Sequence, residues 1–326
     1  MTRRGLLLPF ALLALAWPGP VPAQSQAPAP APFRYLGPVE TLDNGVVTLQ
    51  VAPQAGRIVA YHRRGEPNWL TAFDVPPLAA WHWNPWGGGH LWPTAQFLNP
   101  QIYKNQGFDP VIDGQPWTVT QKTGTSLEMR SGVSPQLGMR VVHHIELARD
   151  SSEVVHTYRF EQVGAGAFPV HAWAIAGVHA GDCVLMECDP TVPQAGSQPY
   201  RQWTDISREA PAAALVPGTR VLKVTAPKGQ LKLGTYGTWI AQVRGASAFQ
   251  QAIRYDPAQP YLESASLETF FDSTLGLYEI ETLGPAWFLR KGETASWRVT
   301  WRLLDLPPGA ATDAAKAAFL SSTAKP

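Results

Sequence analysis

Glu279 and Glu281 stand two apart in Gly276-Leu-Tyr-Glu-Ile-Glu-Thr-Leu-Gly-Pro285, a segment that otherwise reads as an apolar strand. Side chains alternate along a strand, so both carboxyls project from one face, together with Leu277 and Leu283. A polar outer surface would account for two acids, but the leucines on the same side argue for a cleft. In a cleft, partial desolvation and a like-charged neighbour raise one carboxyl toward the range of a useful general acid or base. Glu281 is the catalytic candidate, and Glu279 a candidate substrate contact.

Residues 81–93, Trp-His-Trp-Asn-Pro-Trp-Gly-Gly-Gly-His-Leu-Trp-Pro, hold four tryptophans, two histidines and three consecutive glycines. Tryptophan offers a flat apolar face with one N–H donor, histidine moves protons near neutral pH, and triglycine lets backbone approach a ligand where a Cβ would clash. A sugar, apolar on its C–H faces and hydroxylated at its rim, suits such a surface. A tryptophan-rich core corner with a glycine turn is the competing reading. Trp83, Trp86, Trp92 and Trp173 are the candidate stacking residues, with Arg57 a candidate polar contact. His90, on a constrained turn beside aromatics, and His171, sharing a strand face with Trp173, are candidate proton donors. His143 and His156 share their faces with aliphatic residues and read as core histidines. No Gly-x-Ser-x-Gly elbow, His-Glu-x-x-His helix or Asp-rich calcium loop occurs, and the glycine clusters lack the strand-to-helix context of a phosphate loop. Neither a cofactor nor a metal is expected.

The elements that must position these residues read as strands. Between residues 33 and 306, short alternating apolar and polar runs are separated by Gly, Pro, Asn and Asp clusters, the pattern of an all-β chain. In 295–303, Ala295, Trp297, Val299, Trp301 and Leu303 share one face. Further strands are expected over 46–51, 57–61, 117–121, 126–131, 137–147, 154–160, 168–178, 220–225, 238–244, 249–255 and 276–283. One large single-domain sandwich is the economical architecture, since no polar linker recurs near every hundred residues and no internal period suggests a propeller. A C-terminal tail, 307–326, carries one short helix over 312–320.

The first 23 residues have Arg3 and Arg4, an apolar run over 6–15 and Val21-Pro22-Ala23, the layout of a secretory signal. Residues 24–32, with Ala-Pro repeats, read as a stiff linker. The apolar run is too short to span a bilayer, which takes ~20 residues, and no later segment comes closer. Without the signal the chain has 24 basic and 25 acidic residues, a net charge of −1, and no basic run. Nucleic acid is therefore not expected as a partner. Cys183 and Cys188, if on one strand, point to opposite faces and are not expected to pair.

Several motifs recur in an order that resembles a bacterial family grouped with the galactose mutarotase-like proteins. They are Leu42-Asp-Asn-Gly45 with Val47-Thr-Leu-Gln-Val51, Ala55-Gly-Arg-Ile58, Glu66-Pro-Asn-Trp-Leu70, Gly89-His-Leu-Trp-Pro93, and Tyr278-Glu-Ile-Glu-Thr-Leu-Gly-Pro285 with Leu289-x-x-Gly-Glu-Thr294. The resemblance implies a β-supersandwich with sugar bound on its concave face. In aldose epimerases a strand glutamate acts as base with histidines opposite, and Glu281, followed by Thr282, matches that glutamate. The chain departs from the epimerase pattern in two places. Val170-His-Ala-Trp-Ala-Ile-Ala176 lacks the asparagine and tyrosine of the Asn-x-x-x-His-x-Tyr setting, and Leu283-Gly-Pro285 replaces the Asn and Asp that follow the glutamate.

Together these readings give an exported protein, periplasmic or secreted, that binds a mono- or oligosaccharide. It would act as an aldose 1-epimerase with Glu281 as base and His90 or His171 as acid, or as a non-catalytic sugar binder. A glycoside hydrolase or polysaccharide lyase using Glu279 and Glu281 ranks last, because both acids would lie on one side of the sugar. Mass spectrometry of the exported protein is expected to find an N-terminus near Gln24; a product that retains the apolar run over 6–15 would contradict the signal.

Overall fold

The computed structural model describes residues 33–77, 84–104, 108–189, 191–192, 198–207 and 211–326. The signal and linker expected over 1–32, and Trp81, His82 and Trp83, lie outside the described residues. Nineteen strands occur among those described. They are β1 (Glu40–Asp43), β2 (Val47–Ala52), β3 (Arg57–Arg63), β4 (Gly89–Trp92), β5 (Thr118–Lys122), β6 (Ser126–Arg130) and β7 (Met139–Leu147). Next come β8 (Val154–Gln162), β9 (Trp173–Val178), β10 (Cys183–Glu187), β11 (Arg201–Gln202), β12 (Ala213–Leu215) and β13 (Val221–Val224). The last are β14 (Gln230–Thr235), β15 (Trp239–Arg244), β16 (Ser247–Ile253), β17 (Leu267–Asp272), β18 (Leu277–Leu283) and β19 (Thr294–Asp305). Two α-helices, α1 (Asn99–Tyr103) and α2 (Asp313–Thr323), and two short 3-10 turns, Pro53–Ala55 and Gln96–Leu98, accompany them.

The strands form two antiparallel sheets. One has nine strands in the order β1-β2-β3-β4-β9-β18-β17-β14-β11, the other ten in the order β12-β13-β10-β15-β16-β19-β8-β7-β6-β5. Alternation explains the pairing. Leu49, Val51, Ala174, Ala176, Ile280, Phe271 and Leu231 of the first sheet meet Ile145, Phe160, Phe249, Val299 and Trp301 of the second in one continuous apolar core. His143 and His156 sit in it, Nε2 to Nδ1 at 3.2 Å, packed on Tyr158 and Trp301. Cys183 and Cys188 are unpaired and belong to two different apolar clusters, the outcome of opposite orientations on and just beyond β10.

The expected strand 168–178 pairs within the sheet only from Trp173 onward. Pro169 cannot donate to a ladder, and the residues after it bond to loops instead: Val170 pairs with Trp287, and the His171 N–H donates to the Pro93 carbonyl at 3.0 Å. The tail is no free appendage either. Thr312 caps α2 by accepting from the Ala315 N–H, and Ala317 and Leu320 bury completely beside Leu185, Trp239 and Ala248, which covers the outer face of the ten-stranded sheet.

The triglycine serves a different purpose from the expected approach to a ligand. Gly87 and Gly88 have φ of 62° and 68°, and a Cβ on either would stand 2.3 Å from the Thr71 carbonyl oxygen or 2.4 Å from that of Ile58. Its backbone is pressed against the protein's own neighbouring backbone, where only glycine fits. The close approach lets β4 enter the sheet between β3 and β9, which sets His90 and Trp92 in register.

Candidate functional site

On the side of the nine-stranded sheet away from the core, cross-strand register builds the site row by row. His90 on β4 aligns with Ile175 on β9, Ile175 with Glu281 on β18, and Glu281 with Glu268 on β17. One row along, Glu279 aligns with Phe270 and Phe270 with Lys232 on β14. On the other side, Trp92 aligns with Trp173 and Trp173 with Leu283. A cavity of about 220 Å³ opens on this face, and His90, Trp92, Trp173, Lys232, Glu279 and Glu281 all line it. The two indoles meet edge to face, centroids 5.2 Å apart.

Lys232, only 3% exposed, is the electrostatic centre. Its Nζ lies 2.8 Å from Glu268 Oε2 and 3.1 Å from Glu281 Oε2, and 4.4 Å from the centroid of the Trp173 ring. Burial opposes its charge, but Glu268 and Glu281 outweigh that and hold its pKa above the ordinary lysine value. Trp173 Nε1 donates to Glu281 Oε2 at 2.5 Å. Oε2 is thus committed to two donors, while Oε1 has only a 3.5 Å contact with Lys232. Glu268 lies fully buried, and burial, reinforced by Glu281 and Glu263, pushes its carboxyl well above the usual range despite Lys232. Glu263 anchors the rim by accepting from the Gln96 N–H at 2.5 Å.

Glu279 is 8% exposed, and its carboxyl has no hydrogen-bond or ion-pair partner among the described residues. Burial, then the negative charge of Glu281, pushes its pKa up to about 8, so it is protonated at neutral pH. His90 also lines the cavity, but burial and then the Arg57 charge keep its pKa well below the ordinary histidine value. Burial lowers His171 to about 4. Both rings are therefore neutral near pH 7, a form poorly suited to the proton-donor role expected of one of them.

The remaining expected site residues separate. Trp86 packs away from the cavity with Leu36, Ala55 and Val59, its Nε1 donating to the Val75 carbonyl at 3.0 Å. His171 is fully buried beside the strand end and does not line the cavity. Arg57 forms a buried ion pair with Asp113, and Asp113 in turn accepts from Trp92 Nε1 at 2.7 Å. Arg57 thus acts on the site through the residue that holds Trp92. Trp83 lies outside the described residues. Four contributors escape the sequence reading: Lys232, Glu268, Glu263 and Asp113. In Gln230-Leu-Lys-Leu-Gly-Thr235 and Leu267-Glu-Thr-Phe-Phe-Asp272, the alternation that places Lys232 and Glu268 on one face was present, but a charged residue opposite leucines reads as solvent-facing. Among the described residues, no group of three or more His, Cys, Asp or Glu side chains is placed to hold a metal ion.

Comparison with solved structures settles the architecture. A galactose mutarotase-like protein from Lactobacillus casei superposes with a TM-score of 0.56 at 11% identity, over 82% of this chain and all of the other. The galactose mutarotase related enzyme of Lactobacillus acidophilus gives 0.53 at 9%, over 82% and 97%, and the aldose epimerase homologue of C. elegans 0.51 at 11%, over 82% and 99%. The chain has the galactose mutarotase-like fold. No protein-family model and no curated protein matches it. On this mutarotase-like frame, the strand glutamate singled out in the sequence, Glu281, faces the cavity beside two tryptophans.

The raised Glu279 pKa has a consequence for stability. A carboxyl raised from 4.5 to about 8 on folding favours the folded state while it is protonated, and that contribution declines as pH rises from about 4.5 through 8. Glu279→Gln stays neutral throughout. Its stability relative to the wild type, measured by urea denaturation, is expected to increase between pH 5 and pH 8.5; a pH-independent difference would contradict a buried, protonated Glu279.

Proposed function

We propose that this is an exported carbohydrate-active protein that binds one sugar ring in the Trp92–Trp173 cavity and acts on it as an aldose 1-epimerase. The observation that carries the reading is the meeting of two indoles and a carboxylate on one cavity of the mutarotase-like sheet face. The volume is below the ~300–1,000 Å³ of pockets for drug-sized ligands, which favours a monosaccharide over a chain. An indole face stacks on pyranose C–H groups, and the cavity wall supplies Gln96 and Glu279 for hydroxyls. Glu281 Oε1, with only its long contact to Lys232, is available to take the anomeric hydroxyl proton, while Trp173 and Lys232 hold Oε2. Ring opening then exposes both faces of the aldehyde, and reclosure gives the other anomer. The neutral state of His90 and His171 favours one alternative, a binding protein that uses the same cavity without turnover.

The two readings differ in what a glutamate substitution removes. Glu281→Gln keeps shape and polarity, so it is expected to lower anomeric exchange by about 10²-fold or more, the contribution of a general base, with sugar affinity within a few-fold of the wild type. Trp92→Ala is expected to weaken binding by about 1–3 kcal/mol. Polarimetry and calorimetry over a panel of aldoses check both. A wild type that binds an aldose yet leaves exchange at the uncatalysed rate would favour the binding protein.

A further inference from the structure

We infer that Glu279 is the proton donor to the ring oxygen, so that one strand, β18, supplies both the acid and the base. The inference rests on the epimerase reading above and replaces the histidine acid in it. Glu279 and Glu281 are two residues apart on one face of β18, which separates them by about 7 Å along the strand, and both line the cavity. Their environments differ in kind. Glu281 is held by Trp173 and Lys232, whereas the Glu279 carboxyl meets no partner among the described residues and lines the cavity. A nine-tenths buried carboxyl without a partner finds its hydrogen bond in whatever occupies the cavity.

The groups around Glu279 keep its proton in place. Glu281 stands on the same strand; Lys232 on β14, Arg57 on β3 and Asp113 act on it across the sheet, His90 on β4 lines the same cavity, and Glu268 lies on β17. Lys232 Nζ pairs with Glu268 and Glu281, and Arg57 Nη1 with Asp113; the charges of Lys232 and Arg57 pull the Glu279 pKa down, but less than burial and Glu281 raise it. Burial and the Glu281 charge then prevail, which leaves the carboxyl protonated up to about pH 8. Two carboxyls whose environments divide them into an acid and a base form a recurrent catalytic arrangement.

The step balances. The Glu279 proton passes to the ring oxygen as the C1–O5 bond breaks, its electron pair going to O5. The O1–H proton passes to Glu281 as the C1=O1 bond forms. After rotation about C1–C2, both transfers reverse: Glu281 returns its proton to O1 and Glu279 recovers its own from O5. No oxidant, metal or water is consumed. Acid and base lie on one side of the ring, which suits this reaction because O1 and O5 are both bonded to C1.

The test is exchange NMR between the anomers of an aldose that the wild type binds, with Glu279→Gln and Glu279→Asp. For the wild type, the exchange rate is expected to fall above about pH 8 as Glu279 loses its proton. Glu279→Gln is expected to lose about 10²-fold or more in rate, to lack that alkaline limb, and to bind the sugar within a few-fold of the wild type. Glu279→Asp, which keeps an ionisable acid, is expected to retain part of the rate together with an alkaline limb, and it carries the test if the glutamine variant fails to fold. A glutamine variant with wild-type rate, or one that keeps the alkaline limb, would overturn the inference and leave the Glu281 reading in place. Absence of exchange in the wild type would overturn both.

Discussion

A buried ammonium between two buried carboxyls holds this site together. Lys232 touches Glu268 and Glu281 from a strand that neither occupies, and it lies against the Trp173 ring. Leaving either a lone lysine or lone carboxylates in such a place costs ~3–5 kcal/mol, so the three side chains constrain one another and fix the spacing of β14, β17 and β18. Glu281 gains a fixed direction from this: one oxygen is held by Trp173 and Lys232, and the other has only a 3.5 Å contact with Lys232. Glu279, one alternation away, receives no such partner. Trp173 and Lys232 together hold Glu281, and neither of them bonds the Glu279 carboxyl.

A second buried pair supports the aromatic wall. Asp113 bonds both Arg57 and the Trp92 indole N–H, so the orientation of Trp92 depends on an ion pair behind the cavity. The triglycine belongs to the same construction. Its backbone presses against Thr71 and Ile58, which allows β4 to join β9 and brings His90 and Trp92 into rows with Trp173 and Glu281.

Much of the fold is legible in the sequence because alternation is a local signal. The faces of β7, β8 and β19, and the shared face of Glu279 and Glu281, follow from period-two spacing alone. Composition could suggest an aromatic sugar site around Trp92, but it could not separate Trp92 from Trp86, which lies six residues earlier and packs into a different apolar cluster. What alternation cannot tell is whether the face opposite the core meets water or closes over a cavity. Lys232 and Glu268 were lost for that reason, and with them the buried pairing that holds Glu281 in place. The histidines carry the converse lesson. His90 and His171 have the right chemistry by type, and burial lowers the pKa of both below the ordinary histidine value.

The most direct test of the account is a crystal structure of the protein soaked with an aldose it binds. One pyranose ring is expected stacked on Trp92 or Trp173, with its anomeric hydroxyl within hydrogen-bonding distance of Glu281 Oε1 and its ring oxygen facing Glu279. A sugar bound elsewhere, or one in the cavity with its anomeric carbon turned away from both glutamates, would contradict it.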